Sequence, residues 1–386
     1  MRAKKIYLIS GEVSGDTHGA ELIHAIQSEL SKVDLEVEFF GYGGPEMRQA
    51  GGGDIRDWIE KAAVMGIVEV LKHYRWFKKQ FHSMLDELKQ LQPDALILID
   101  YPGFNLRMAK AVRKALPATK IIYYVSPQVW AWNKGRIPKM AAILDKMLCI
   151  LPFEKPLYEN SGLSTTFVGH PVVDELVENK IDVTRDPNLI GLFPGSRERE
   201  ISRLFPVMLD AARRMRNENE NLRFQAPAAT EKLAELMKKI IDKAKLTGDY
   251  IQITSRSDGG SHKLMQQAHC GVIASGTATL EAAWYGLPYC LVYKIAFPTY
   301  LLGKMLVKIE HIGLVNILAG KKVVDEFIQG EADPVQIKEA LELFITDPIH
   351  TAKVRSEMKE AVSQLGDPGC HLRAAKEVIS TLIIEE

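Results

Sequence analysis

Four short segments carry residue types suited to chemistry, and each begins on a run that reads as a strand. In Leu96–Arg107, LILIDYPGFNLR, a fully apolar run ends on Asp100, with Pro102 and Gly103 just behind it. A carboxylate at the carboxyl end of a buried strand, beside an apolar wall, is placed to act as a general base. The competing task, capping the next helix, is better filled by Asn105 or by the Gly103 turn. In Leu192–Ile201, LFPGSREREI, Gly195 and Ser196 make a compact turn and Arg197 supplies a guanidinium fork for phosphate oxygens. A solvated helix start is the alternative, and it suits Glu198, Arg199 and Glu200 better than Arg197. In Ala274–Gly286, ASGTATLEAAWYG, Ser275, Gly276 and Thr277 put small residues and free N–H groups at a helix N-terminus, where the dipole favours an anion. Glu281, one turn further in, is within reach of a ribose diol. Plain N-capping by Ser275 or Thr277 is the other reading of that loop. Taken together, two anion-suited loops in one half of the chain point to a diphosphate there.

The fourth segment, Leu8–Leu22, LISGEVSGDTHGAEL, has the strand, the glycines and the helix of a dinucleotide-binding turn. Its spacing is not G-x-G-x-x-G, however, and Glu12 and Asp16 bring negative charge where a phosphate would sit. With the diphosphate assigned to the other half, this loop suits a neutral, hydroxyl-rich ligand such as a sugar. Glu12 and Asp16 would accept hydrogen bonds from its hydroxyls. Asp16 serves equally well as a cap of the first helix; Glu12 does not fit that role.

The elements that must position these loops alternate strand with helix. Strands are expected at Lys5–Ser10, Val37–Gly41, Ala95–Asp100, Ile121–Val125 and Lys146–Leu151, with helical periodicity clearest from Gly66 to Gln92 and from Leu106 to Ala115. All but the second strand lack polar alternation, the pattern of parallel strands covered on both faces. The stretch Val168–Asn188 breaks the rhythm with charge and proline and reads as a linker. Alternation then restarts, with strands at Leu189–Phe193, Leu222–Gln225, Tyr250–Thr254, Gly271–Ala274 and Tyr289–Tyr293. Helices are expected from about Glu200, and at Thr230–Lys245, Ser261–His269 and Ala278–Tyr285. The expected architecture is α/β: two doubly wound, Rossmann-like parallel-sheet domains facing across a cleft, with ligand loops beyond the strands' carboxyl ends. The domain bounds expected are 1–172 and 186–365, with 366–386 a C-terminal helix that packs back on the first domain or on a partner chain.

Length and composition narrow the function classes. The 386 residues favour two domains, and 46% apolar with 25% charged residues is an ordinary globular balance. Lys+Arg and Asp+Glu both number 49, so no global field draws nucleic acid or membrane. Four dispersed cysteines (Cys149, Cys270, Cys290, Cys370) form no C-x-x-C pair and read as small apolar residues in a reducing compartment. No D-x-D pair of the kind that holds a bridging Mg²⁺ occurs. The N-terminal apolar run is too short for a signal peptide, and no stretch approaches a transmembrane helix. In Val64–Phe81, Ile67, Val70, Leu71, Tyr74, Phe77 and Phe81 are expected to face the core. Val68 and Trp76, among Lys72, Arg75, Lys78 and Lys79, are expected outside that stripe as an interfacial patch for anionic lipid. A lone aromatic over a solvated basic face is the plainer alternative.

These motifs, in order along almost the whole chain, resemble those of the lipid-A-disaccharide synthases, inverting two-domain nucleotide-sugar glycosyltransferases of the glycosyltransferase B type. The resemblance runs through GEVSGD (11–16), VMGIVEVL (64–71), DYPGFN (100–105), YVSPQVWAW (124–132), LPFEK (151–155), VGHP (168–171), PGSR (194–197), SGTATLE (275–281) and NILAG (316–320). It implies transfer from UDP-2,3-diacylglucosamine to 2,3-diacylglucosamine 1-phosphate, forming a β(1→6) disaccharide and UDP at the cytoplasmic face of an inner membrane. It also implies Asp100 as catalytic base, Arg197 at the diphosphate, Glu12 and Asn316 lining the active site, and Gly195, Ser196, Ser275, Gly276, Thr277 and Glu281 holding UDP. No cofactor, metal or nucleic acid is implied, and a homodimer is left open. His170 reads as structural before catalytic, and Trp130 and Trp132 as either packing or a wall for sugar or acyl chain. The competing readings are a UDP-N-acetylglucosamine 2-epimerase, which shares fold and nucleotide, and a silent nucleotide-sugar-binding module. A dehydrogenase is disfavoured because Gly41-Tyr42-Gly43-Gly44 ends the second strand where an acidic residue would be needed.

Overall fold

The computed structural model describes residues 3–32, 35–62, 74–246, 250–255, 259–296, 300 and 309–383. The chain divides into two compact units, Met1–Pro171 with Gly366–Glu386, and Val172–Leu365.

Unit 1 is a parallel sheet of seven strands: β1 Lys4–Ser10, β2 Val37–Gly43, β3 Ile55–Asp57, β4 Ala95–Ile99, β5 Lys120–Tyr124, β6 Lys146–Cys149 and β7 Thr165–Phe167, in the order β3-β2-β1-β4-β5-β6-β7. Alternate residues of each central strand feed opposite cores. Tyr7, Ile9, Leu96, Leu98, Ile121 and Tyr123 enter one, while Ile6, Leu8, Ile97, Ile99, Ile122 and Tyr124 enter the other. Burial on both faces is why these strands read as unbroken apolar runs. The C-terminal helix Cys370–Ile383 lies over the second face through Cys370, Ala374, Val378 and Leu382.

Unit 2 repeats the plan with six strands: β8 Asp186–Phe193, β9 Arg223–Pro227, β10 Ile251–Thr254, β11 Ala268–Ala274, β12 Tyr289–Tyr293 and β13 Glu326–Ile328, ordered β10-β9-β8-β11-β12-β13, with all pairings parallel. In both sheets the order reverses direction between two central strands, β1/β4 and β8/β11. Connections on either side of such a point leave for opposite faces, which opens a crevice above the carboxyl ends.

The differences from the sequence expectation lie at edges and ends. Strands β3, β7 and β13 are three-residue edge strands, each paired on one side only, too short to leave a hydrophobic period. The expected linker contains a helix, Val172–Glu178, that buries Val172, Val173 and Leu176 and belongs to unit 2. The helix expected over Ser261–His269 ends at Gln267, and Ala268 already begins β11. All four cysteines are free and buried.

Of the helical stripe expected across residues 64–81, Phe77 and Phe81 pack on the core as expected, Ile67, Val70 and Leu71 lie outside the described residues, and Tyr74 and Trp76 depart from it. Residues 63–73, Val68 and Lys72 among them, lie outside the described residues. From Tyr74 onward the helix Tyr74–Leu91 turns Met84 and Leu88 into the core. Tyr74, expected inside, is 54% exposed. Trp76, expected at a lipid surface, packs on the core, its ring stacked 5.8 Å from that of Trp58 and edge-on to Phe77 at 5.0 Å.

Candidate active site

In unit 1 the crevice lies where β1 and β4 end side by side. β1 runs out through Ser10 into Gly11 and Glu12; β4 runs into Asp100. A Cβ at Gly11 would sit 2.4 Å from the ring of Tyr101, so only glycine lets β1 leave beneath that ring. Glu12 is the residue before the helix Val13–Leu30, and its side chain makes no capping bond.

Asp100 and Tyr101 both adopt left-handed backbone, with φ of 45° and 51°. Two consecutive non-glycine residues in this region cost about 1–2 kcal/mol each. A set of hydrogen bonds offsets the strain. The Asp100 carbonyl accepts from Asn105 Nδ2 at 2.8 Å and from the Tyr123 hydroxyl at 2.5 Å, and the Asp100 N–H donates to the Tyr124 carbonyl at 3.0 Å. Asn105 Nδ2 also donates to Ile99 and Ile9 carbonyls, stitching β4 to β1, and the Tyr101 hydroxyl donates to the Ala62 carbonyl. The elbow presents the Asp100 carboxylate beyond the sheet. Burial, and then the charge of Glu12, push this carboxyl up to about 6. A general base is most effective when its pKa lies near the working pH, and an ordinary aspartate at about 3.9 does not.

Not every residue singled out in this loop points at a ligand. Asp16 is 3% exposed and accepts from the backbone N–H groups of Gly44 at 2.7 Å, Glu46 at 3.0 Å and Met47 at 3.0 Å. It neither meets a sugar nor caps the first helix; it caps the second, Pro45–Gly51, whose first N–H groups have no partner of their own. Trp130 is buried, and its indole N–H donates to Glu154 Oε1 at 2.9 Å, so its role is internal. Trp132 is 42% exposed, with the Arg136 guanidinium 4.6 Å from its ring. Burial, and then the nearby His18, hold His170 down at about 4, hence neutral at pH 7.

In unit 2 the crevice between the ends of β8 and β11 is a cavity of ≈ 620 Å³. Gly195, Ser196 and Arg197 from the first strand and Ser275, Gly276 and Thr277 from the second all line it, as does Glu281. Gly195 has φ of 105°, and a Cβ there would meet Glu200 Oε2 at 2.4 Å. Arg197 stands before the helix Glu198–Glu218 with its side chain 60% exposed, paired only loosely to Glu200 at 3.1 Å. The helix Ala278–Trp284 starts without a side-chain cap from Thr277; the N–H groups of Thr279, Leu280 and Glu281 donate to the Gly276 and Thr277 carbonyls. Burial raises the Glu281 carboxyl, against a downward pull from His262 and an upward one from Glu175.

His262 and Glu175 also line the cavity, and the sequence did not single them out. His262 Nε2 lies 3.1 Å from Glu175 Oε1 and its Nδ1 3.2 Å from the Tyr285 hydroxyl. Glu175 and His262 are 87 residues apart, and nothing local links them.

Asn316, expected on the lining, is fully buried and fully bonded. Its Nδ2 donates to the Val324 carbonyl at 2.9 Å and Glu326 Oε1 at 2.8 Å, while its Oδ1 accepts from the N–H groups of Val323 and Val324. It brackets the helix Leu314–Ala319 to the turn before β13, and no hydrogen-bonding capacity is left for a ligand. Among the described residues, no group of three His, Cys, Asp or Glu side chains is arranged to hold a metal ion. Nor is any described helix long and apolar enough to cross a membrane.

Comparison with known proteins gives this geometry a family. The model of the lipid-A-disaccharide synthetase family matches residues 6–379. The lipid-A-disaccharide synthase of Trichlorobacter lovleyi is 40% identical over 98% of both chains, and that of Geobacter metallireducens is 38% identical over 98% of this chain and 97% of its own. Among solved structures, the S. aureus MnaA–UDP complex superposes with a TM-score of 0.63 at 14% identity, covering 99% of this chain and 98% of that one. The calicheamicin glycosyltransferase CalG4 gives a TM-score of 0.59 at 14% identity over the whole of both chains. At such identities these two speak for the fold, two Rossmann-like units of the glycosyltransferase B kind. The match along nearly the full length, with the motifs in order, shows that the chain belongs to the lipid-A-disaccharide synthetase family.

Proposed function

We propose that the chain transfers 2,3-diacylglucosamine from UDP-2,3-diacylglucosamine to the 6-hydroxyl of 2,3-diacylglucosamine 1-phosphate, inverting the anomeric carbon to give the β(1→6) disaccharide and UDP. Family membership supports the formation of the lipid A disaccharide. The observation that carries the mechanism is the Asp100 elbow, a strained and hydrogen-bonded turn at the switch point whose carboxyl is held at about 6 beside Glu12.

Asp100 takes the proton of the acceptor hydroxyl as its oxygen attacks the donor's anomeric carbon. The bond from that carbon to the diphosphate oxygen breaks, and UDP leaves with the electron pair. Arg197 and the N–H groups of Gly276 and Thr277 stabilise the negative charge that grows on the leaving oxygen. Glu281 accepts from the ribose hydroxyls. Glu12 keeps Asp100 basic and borders the sugar. The reaction runs without a metal on this reading. The chain works at the cytoplasmic face of an inner membrane, where its lipid substrates lie, and a homodimer is compatible with the same site.

The test is incubation with both substrates in excess EDTA, with the product linkage read by NMR. The β(1→6) disaccharide is expected, with the donor unchanged when the acceptor is omitted. Conversion of the donor alone to its 2-epimer would replace this reading with that of an epimerase.

A further inference from the structure

The motifs YVSPQVWAW and LPFEK have no part in the steps above, yet they meet in one buried polar cluster. Glu154, the first residue of the helix Glu154–Glu159, is 1% exposed. Its Oε1 accepts from Ser126 Oγ at 3.0 Å and from Trp130 Nε1 at 2.9 Å, and its Oε2 accepts from the Leu151 N–H at 3.2 Å. The Ser126 hydroxyl also meets the Tyr158 hydroxyl at 2.8 Å, which in turn donates to the Pro127 carbonyl at 3.3 Å.

A bond to Leu151 alone would be a local helix-start contact. The bonds to Ser126 and Trp130 span 28 and 24 residues and grip the loop that leaves β5. That loop begins under strain: Val125 has φ of 63°, a region a β-branched residue rarely enters, and its N–H donates to the Leu148 carbonyl on β6 at 3.1 Å. One residue earlier, the Tyr124 carbonyl accepts from the Asp100 N–H, and the Tyr123 hydroxyl holds the Asp100 carbonyl. Bonds therefore run without a break from Glu154 through the exit of β5 to the elbow that presents Asp100.

We propose that Glu154 is a positioning residue for the transfer step: by gripping Ser126 and Trp130 it locks the exit of β5, and through it the dry, strained setting of Asp100. The inference rests on the reading of Asp100 as the base. Every bond Glu154 makes is as an acceptor, and an acidic side chain offers two acceptor oxygens where glutamine offers one. Burial itself works against keeping an acid here, holding this carboxyl up at about 7 against the downward pull of Trp130 and Ser126. An apolar core with a leucine would avoid that penalty. The acid stands where it is expensive, and its partner Ser126 is two residues from Tyr124, whose carbonyl holds the Asp100 N–H, which is the pattern of a residue serving geometry.

The experiment compares wild type, Glu154→Gln and Trp130→Phe in steady-state kinetics with both substrates, in UDP titrations, and in the pH profile of kcat/KM. Wild-type turnover comes first; its absence would sink the proposed function, and this inference with it. With turnover present, Glu154→Gln should lower kcat about tenfold, in line with small misplacements of a catalytic group, and leave UDP affinity unchanged. Loosening the elbow lets water reach Asp100, so the acid limb of kcat/KM should move below about pH 6. Trp130→Phe, which deletes one N–H donor, should do the same to a smaller degree, and it decides the matter alone if Glu154→Gln does not fold. Folded variants with wild-type kcat and an unmoved acid limb would overturn the proposal.

Discussion

Replacing Asp100 by asparagine should make the protein more stable at neutral pH while removing its activity. The folded carboxyl is held at about 6 by burial and by Glu12, against about 3.9 in an unfolded chain. Between these values the folded state keeps a proton that the unfolded state has released. Stability contributed by this group is therefore full below about pH 4 and is lost as pH rises through 6. The difference corresponds to roughly 3 kcal/mol at most, taking about 1.4 kcal/mol per pH unit. An asparagine amide is desolvated at the same place, so we take roughly 1–2 kcal/mol as the gain that survives. For a unit of this size that raises the melting temperature by about 3–6 °C. Thermal unfolding of wild type and Asp100→Asn, followed at pH 8 and at pH 4, reads it directly. The variant should melt higher at pH 8 and level with wild type at pH 4. An equal or lower melting temperature at pH 8, or a gain of the same size at both pH values, would refute the claim that Asp100 is an ionised group held at a stability cost.

Glu12→Gln removes the second of the two causes that raise Asp100, so the acid limb of kcat/KM should move down from about 6 without reaching the ordinary aspartate range; an unmoved limb would separate the two carboxylates. Arg197→Ala should weaken UDP binding by about tenfold in calorimetry and leave the melting temperature unchanged, since the side chain is 60% exposed and its ion pair with Glu200 is a surface one. Asn316→Ala leaves four hydrogen-bonding partners with nothing in their place and should cost about 2–4 kcal/mol, read as a lower midpoint in urea. Trp76→Ser should lower the melting temperature by several degrees, because the ring is stacked on Trp58; a neutral result with reduced liposome binding would return it to the surface.

The fold was legible because parallel strands buried on both faces leave short, unbroken apolar runs rich in β-branched and aromatic residues, set between helical patterns. The loops were legible for a related reason: Asp100, Pro194–Arg197 and Ser275–Thr277 each stand at the end of such a run, where the sheet order places a crevice. What escaped was set by distance along the chain. Asp16 sits beside glycines and an acid, and its local pattern says ligand or first-helix cap, yet its partners are N–H groups 28 to 31 residues away. Asn316 was expected to face the active site, whereas its amide is used up by Val323, Val324 and Glu326, which lie past the end of its own helix. Phe77 and Phe81 face the core as their spacing said, but Trp76 was placed outside because aromatics occur on both faces of that helix, and only its contact with Trp58 in the fold shows that it packs inward too.

Asp100 as the base is the step on which the proposed transfer most directly depends. The measurement is turnover of the Asp100→Asn variant with saturating donor and acceptor, alongside its dissociation constant for UDP. The account predicts a loss in kcat of at least roughly 10²-fold with UDP binding intact, since the amide preserves size and polarity but accepts no proton. A variant that keeps most of its kcat would contradict it, and the base would have to be sought elsewhere.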